Sequence, residues 1–340
     1  MAKYKIISKN IQQVIIDNPV TTDEKLVWLN INNAGKKEIE YLRKKYNFEL
    51  SHLQASLGKA TAQRPDIAQG SNNKYLFMIL HFPVFQKNPE VEKKKRKKNN
   101  NERYDIIPGE IEFFVGHGFL ITLHNNNIKT LNDFFNLCKK DGDSLLSYQF
   151  ESSAILLYEL LEKLIIDCYA LLDQNSIKIS EVENVIFAQR QKRAVSQILS
   201  LRHNIINFRK IMQNHKNILK KLTRMESSLV PAEKIKVYYN KLIEHSKRIW
   251  EILENQKESI EVLNSTNESM LNYRISDIMK TLTIFSVIVF PLTLLAAIFG
   301  MNTLGGMPFA EHENGFWLII VIMLVGCLGM LIFFERKKWL

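Results

Sequence analysis

Two uncharged apolar runs near the C-terminal end, residues 281–299 and 316–334, constrain this chain more than any other feature. Each is nineteen residues long. As an α-helix each would rise ~28 Å, close to the ~30 Å hydrocarbon core of a bilayer. A buried soluble hairpin is the alternative, but two such runs in succession fit lipid better. The chain is therefore expected to end in a two-helix transmembrane hairpin closed by a short Gly-containing loop, residues 300–315. Two spans are too few to enclose a path across a membrane, so a conduit built from them needs several copies.

The flanking charges orient the hairpin. Lys280 precedes the first run, and Arg336, Lys337 and Lys338 follow the second. The loop has no Lys or Arg and carries Glu311 and Glu313. The positive-inside tendency then places both termini in the cytoplasm and the loop outside. The opening Met1-Ala2-Lys3-Tyr4-Lys5 leads into no long apolar core, so no signal peptide is expected. Cys138, Cys168 and Cys327 form no pairing or metal-ligand pattern and read as reduced thiols.

The net charge of +11 is partly local, in Lys93, Lys94, Lys95, Arg96, Lys97 and Lys98, followed by three asparagines. A solvated loop is the plain reading of this run, and contact with anionic lipid is the functional one. No RNP-like strand, zinc finger or helix-turn-helix accompanies it, so nucleic acid is not an expected partner.

Taken in order, residues 1–145 read as an α/β domain. Strand character is expected at 4–7, 13–16, 26–31 and 75–85, with a helix over 35–48. A hairpin is expected from 110–115 to 119–124 across Gly116-His117-Gly118. A further helix begins at 130–138. Residues 146–231 are expected to be long helices, one from 145 to 173 and another of roughly fifty residues over 177–225. Pro231 can open the next element. From 232 to 299 the only proline is Pro291 and there is no glycine, so 232–280 reads as a stalk helix continuous with the first span. Residues 335–340 form a basic tail.

The stalk has a heptad seam at Ile235, Leu242, Ile249, Gln256, Leu263 and Met270. A second set stands four positions later at Tyr239, Ser246, Leu253, Ile260, Asn267 and Arg274. Its polar layers read either as register devices or as the lining of a wet cavity between stalks. In the first span, Met279, Leu282, Ser286, Phe290, Thr293 and Ala297 share a sector of about 80° at 100° per residue. Ile284, Ile288, Pro291 and Leu295 lie opposite. The mixed sector suits a narrow, partly wettable pore, and it also suits a helix–helix interface. Both readings stand at this point.

The residues that join these segments carry a resemblance. Pro291-Leu292-Thr293, Phe299-Gly300-Met301-Asn302, Met307-Pro308 and the closing Lys337-Lys338-Trp339-Leu340 resemble the CorA family of magnesium transporters. Gly-Met-Asn is that family's hallmark at the outer end of the first span. The resemblance implies a homopentameric funnel, with five first spans around the pore and the α/β domains in the cytoplasm. It implies transport of Mg²⁺, with Co²⁺ or Ni²⁺ secondary, across the inner membrane, and no cofactor or enzymatic activity. Asn302, with Gly300 and Met301, would form the selectivity loop, and Met279, Leu282, Ser286, Phe290, Thr293 and Ala297 the pore lining. Glu311 and Glu313 would attract cations outside. The chain departs from the family at Phe299 for Tyr, Phe290 for Met and Ser276 for Asn. Phe309 stands in the loop where Glu is common, and Gln86 where an acid of the cytoplasmic sensor would fall. Glu233, Glu244, Glu251 and Glu254 are left as candidate sensor acids. The alternatives are a zinc transporter of the same superfamily and, from another class, a membrane-anchored helical scaffold.

Overall fold

Residue-by-residue alternation along the apolar strands feeds two cores on opposite sides of one sheet. Leu76, Met78, Leu80 and Phe82 join one core, and Tyr75, Phe77 and Ile79 the other. A strand buried on both faces needs apolar residues at every position, and this explains the unbroken run at its centre. The computed structural model describes residues 3–17, 25–56, 65–70, 74–87, 104–125, 128–140, 152–188, 190–224, 234–301, 308, 313–337 and 339. Lys93 to Lys98, Pro231, Glu233, Asn302 and Glu311 lie outside the described residues.

The strands are β1 (Lys3–Ile6), β2 (Ile11–Asp17), β3 (Lys25–Asn32), β4 (Asp66–Gln69), β5 (Tyr75–Lys87), β6 (Tyr104–Gly116) and β7 (Phe119–His124). They form one sheet in the order β1-β2-β3-β7-β6-β5-β4. All neighbours are antiparallel except β3 and β7, which run parallel with Trp28 opposite Leu120. The expected hairpin joins β6 to β7, with Gly116 opposite Phe119. Gly118 has φ +72°, the left-handed region that favours glycine in so tight a turn.

One face of the sheet is covered by α1 (Lys36–Tyr46) and α2 (Leu50–Ala55). Glu38 at the first turn of α1 accepts from the Gly35 N–H at 3.0 Å, and Asn47 ends the helix at φ 53°. The opposite face is covered by α3 (Lys129–Lys140), α4 (Ser153–Phe187), α5 (Gln191–Met212) and α6 (His215–Arg224), together with part of α7 (Lys234–Phe299). Trp28, fully buried, donates its indole N–H to Thr122 Oγ1 at 3.1 Å and meets Phe135 edge-on. The strand β4 and the helix α2 were not expected from the sequence. Each is short, and neither carries enough periods to stand out.

The helical region corrects two expectations. The division near residues 173–177 does not exist, because α4 runs straight through it to Phe187. The expected fifty-residue helix is instead broken at 188–190 and again at 213–214. No proline or glycine makes these breaks. The chain turns back after Phe187 so that Val182 and Ile186 on one arm and Ala194, Ile198 and Leu201 on the next can all be buried. One straight helix would leave those residues in water.

The heptad seam is also decided by packing. Tyr239, Leu242, Ile249 and Leu253 are buried in the same core as Leu156 to Leu172 of α4. Tyr239 donates its hydroxyl to the Ala154 carbonyl at 2.9 Å. Gln256 Nε2 donates to the Leu172 carbonyl at 2.8 Å and to Ser176 Oγ at 3.0 Å. This polar layer is a register device between two helices of one chain.

The chain divides into two compact units, residues 1–263 and 264–340, with the boundary inside α7. The second unit contains the end of α7 and α8 (Gly315–Arg336). The whole of α7 is 66 residues, or about 99 Å at 1.5 Å per residue.

Candidate ion-conducting face and selectivity loop

The last third of α7 and all of α8 are apolar enough to cross a membrane. Their burial is one-sided. On α7, Ile284 is buried and Ile288, Leu292, Leu295 and Phe299 are half-buried. At 100° per residue these positions share a sector of about 80°. On α8 the corresponding stripe is Ile319, Ile320, Met323, Cys327, Met330 and Phe334. Spacings of three and four keep each stripe on one side of its helix.

The sector that the sequence singles out lies diametrically opposite the shaded face of α7. Met279 is 55% exposed, Leu282 57% and Phe290 73%, with Thr293 and Ala297 also exposed and Ser286 half-buried. Among the described residues, this mixed face is left without a partner in its own unit. The hydroxyls on it are oriented. Ser286 donates to the Leu282 carbonyl and Thr293 to the Val289 carbonyl, each at 2.9 Å. With their protons engaged by the backbone, both hydroxyl oxygens are left to act as acceptors. Pro291, exposed at the edge of the shaded face, has no N–H to offer Val287, and α7 continues through it to Phe299.

At the C-terminal end of α7, the Gly300 N–H donates to the Ala296 carbonyl at 2.9 Å and the Met301 N–H to the Ile298 carbonyl at 3.2 Å. Gly300 lies outside the left-handed region. What a side chain would meet there is the Ala296 carbonyl, 3.1 Å from an added Cβ. Close backbone approach, rather than an unusual turn, is what this glycine provides. Met301 is 59% exposed. Glu313 is exposed beside the start of α8. The opposite ends carry Lys280, half-buried, and Arg336 and Lys337, exposed. Trp339 stacks on Phe334 with centroids 5.9 Å apart, an aromatic residue at the end of a span as membrane interfaces favour.

The sequence matches the family described as CorA-like Mg²⁺ transporter protein over residues 23–337. The chain belongs to that family. A curated relative, the cobalt/magnesium transport protein CorA of Methanocaldococcus jannaschii, is 22% identical over 323 residues, 94% of this chain and 92% of the relative. The protein of the same description from Thermotoga maritima is 28% identical over 185 residues, which span 52% of that relative. Among solved structures, the complete CorA magnesium transporter of Methanocaldococcus jannaschii superposes with a TM-score of 0.78 at 19% identity, covering 99% of this chain and all of that one. The full-length CmaX protein superposes with a TM-score of 0.68 at 20% identity, over 93% and 90% of the two chains. The two spans are therefore those of a membrane transporter for divalent cations, and the chain is not an enzyme.

Two candidate sensor acids, Glu244 and Glu251, line an open cavity of about 250 Å³ along α7 with Lys241, His245, Lys247 and Arg248. Glu254 is paired with Arg209 and with Lys257. Lys241 of that lining pairs with Glu162 of α4 at 2.7 Å. Gln86 sits on β5 opposite Asp105 of β6.

Proposed function

We propose that this protein is a passive, homopentameric Mg²⁺ channel of the inner membrane, with both termini in the cytoplasm and Co²⁺ or Ni²⁺ as secondary cargo. The observation that carries this reading is the unpartnered mixed face of α7, opposite the face that is shaded within the unit. Five copies arranged with Met279, Leu282, Ser286, Phe290, Thr293 and Ala297 inward would enclose alternating apolar and hydroxyl rings. Apolar rings gate by dewetting, and acceptor oxygens can receive hydrogen bonds from the water shell of a cation.

Asn302, with Gly300 and Met301 before it, would place a ring of amide oxygens at the outer mouth. Mg²⁺ gives up its waters reluctantly, so a neutral carbonyl ring can select the hydrated ion without trapping it. Glu311 and Glu313 would raise the local cation concentration. A potential of about 100 mV, negative inside, supplies ~4.6 kcal/mol for a divalent ion, so uptake needs no ATP. The basic run from Lys93 to Lys98 is assigned to anionic lipid on charge alone.

The test is cation flux into proteoliposomes, comparing Mg²⁺, Co²⁺, Ni²⁺ and Zn²⁺. Mg²⁺ flux that collapses with a reversed potential and is lost in Asn302→Ala is expected. Absence of flux, or full Mg²⁺ flux in Asn302→Ala, would sink the assigned filter.

A further inference from the structure

Within the first unit, two carboxylates are buried together. Glu110 and Glu112 stand two apart on β6, so both emerge on the face covered by α1 and α2. Phe114, two further on, is in the core beneath those helices. Glu110 is 7% exposed and Glu112 5%. With Ser56, Leu123, His124 and Asn125 they line a cavity of about 20 Å³, room for one water. No Lys or Arg is among its lining residues.

The groups around the pair are largely engaged. From β5, His81 Nε2 lies 2.9 Å from Glu110 Oε2. From β7, the His124 ring bonds Asn30 Oδ1 at 3.0 Å, and burial holds it neutral, down to about 4. From α2, His52 meets the Tyr75 hydroxyl at 2.9 Å, and Ser56 reaches the cavity wall. Glu49, at the start of α2, is 4.0 Å from His52. Glu112 Oε2 has no hydrogen-bond partner. Among the described residues no Lys or Arg lines the cavity, and a carboxylate buried with one oxygen unsatisfied is costly unless it carries a proton.

We propose that Glu110 and Glu112 form a proton-holding pair, with Glu112 a carboxylic acid at neutral pH, and that loss of this proton loosens α2 from the sheet. Burial pushes the Glu112 carboxyl up to about 8; the neighbouring Ser56 hydroxyl opposes this, and the charge of Glu110 and its bond reinforce it. The folded value is above that of an unfolded chain. The stabilisation is therefore complete at acid pH and is lost as pH rises through about 8. Deprotonation sets a second charge beside Glu110 in a space for one water. Water must then enter, and the weakest wall is the six-residue α2, whose C-terminal neighbour is Ser56.

The experiment is an infrared titration of the full-length protein in detergent from pH 6 to pH 9, paired with amide exchange of α2 corrected for its intrinsic pH dependence. A protonated-carboxyl absorption should persist at pH 7, vanish with a midpoint near 8 and be absent in Glu112→Gln. Glu110→Gln should lower the midpoint, because the neighbouring charge is gone. Protection of Leu50–Ala55 should fall across the same midpoint in the wild type and stay flat in Glu112→Gln. Lack of the absorption at pH 7, or a midpoint indifferent to Glu110→Gln, overturns the pair. A clear midpoint with unchanged α2 protection overturns the coupling.

Discussion

Replacing Gln256 by Leu tests whether the polar layer of α7 belongs to one chain. The substitution keeps the side-chain volume roughly constant and removes the donors to the Leu172 carbonyl and to Ser176 Oγ. It also removes the acceptor that Asn175 Nδ2 approaches at 3.5 Å. Two well-formed hydrogen bonds contribute about 2 kcal/mol net, and the longer third matters chiefly because it is the partner of a buried amide. Asn175, 1% exposed, would then hold an unsatisfied amide, costing a further ~1–3 kcal/mol. Burying Leu in place of Gln returns about 1–2 kcal/mol. The net expectation is destabilisation by about 2 kcal/mol, or roughly 4 °C in Tm for a unit of this size. Removing the orphaned amide as well, in Asn175→Leu with Gln256→Leu, should recover most of it, giving a clear coupling in the double-mutant cycle. Thermal unfolding of the full-length protein, followed by tryptophan fluorescence, reads the shift. A single mutant as stable as wild type, or a loss that depends on protein concentration, would refute an intrachain layer.

Other outcomes follow from the same structure. In Glu112→Gln, which removes the opposing gain from that carboxyl, acidification from pH 7 to pH 5 should destabilise the first unit through His124 and His215, both buried and each held down to about 4. Their folded values lie below the unfolded one, so the loss grows as pH falls, by about 2 kcal/mol per histidine at pH 5; unfolding midpoints against pH will show it. Phe290→Ala should leave folding intact, since the ring is 73% exposed, and should raise basal cation flux by widening a ring of the proposed pore. Ser286→Ala together with Thr293→Ala removes two acceptor oxygens and should lower Mg²⁺ flux without changing expression. Replacing Lys93 to Lys98 by serine should weaken binding to anionic vesicles and leave flux unchanged; unaltered vesicle binding would remove the lipid role.

Local pattern made much of this protein readable from the chain alone. Two nineteen-residue uncharged runs fit a bilayer whatever their neighbours do, because the cost of unsatisfied backbone in lipid is local and large. The period of the first run separated its mixed face from its apolar face, and Gly300-Met301-Asn302 named the loop. The strand around Leu80 and the hairpin at Gly118 were equally local. What the tertiary structure decided was which surface each pattern serves. The heptads of α7 look like a stalk-to-stalk seam, yet Tyr239 and Gln256 spend their hydrogen bonds on α4, because periodicity fixes a face but not its partner. The breaks at 188–190 and 213–214 come from burial of both arms, with no breaker residue to announce them. Glu110 and Glu112 alternate along β6, but only the fold reveals that both are buried beside one small cavity, where an unpaired charge is far costlier than in water.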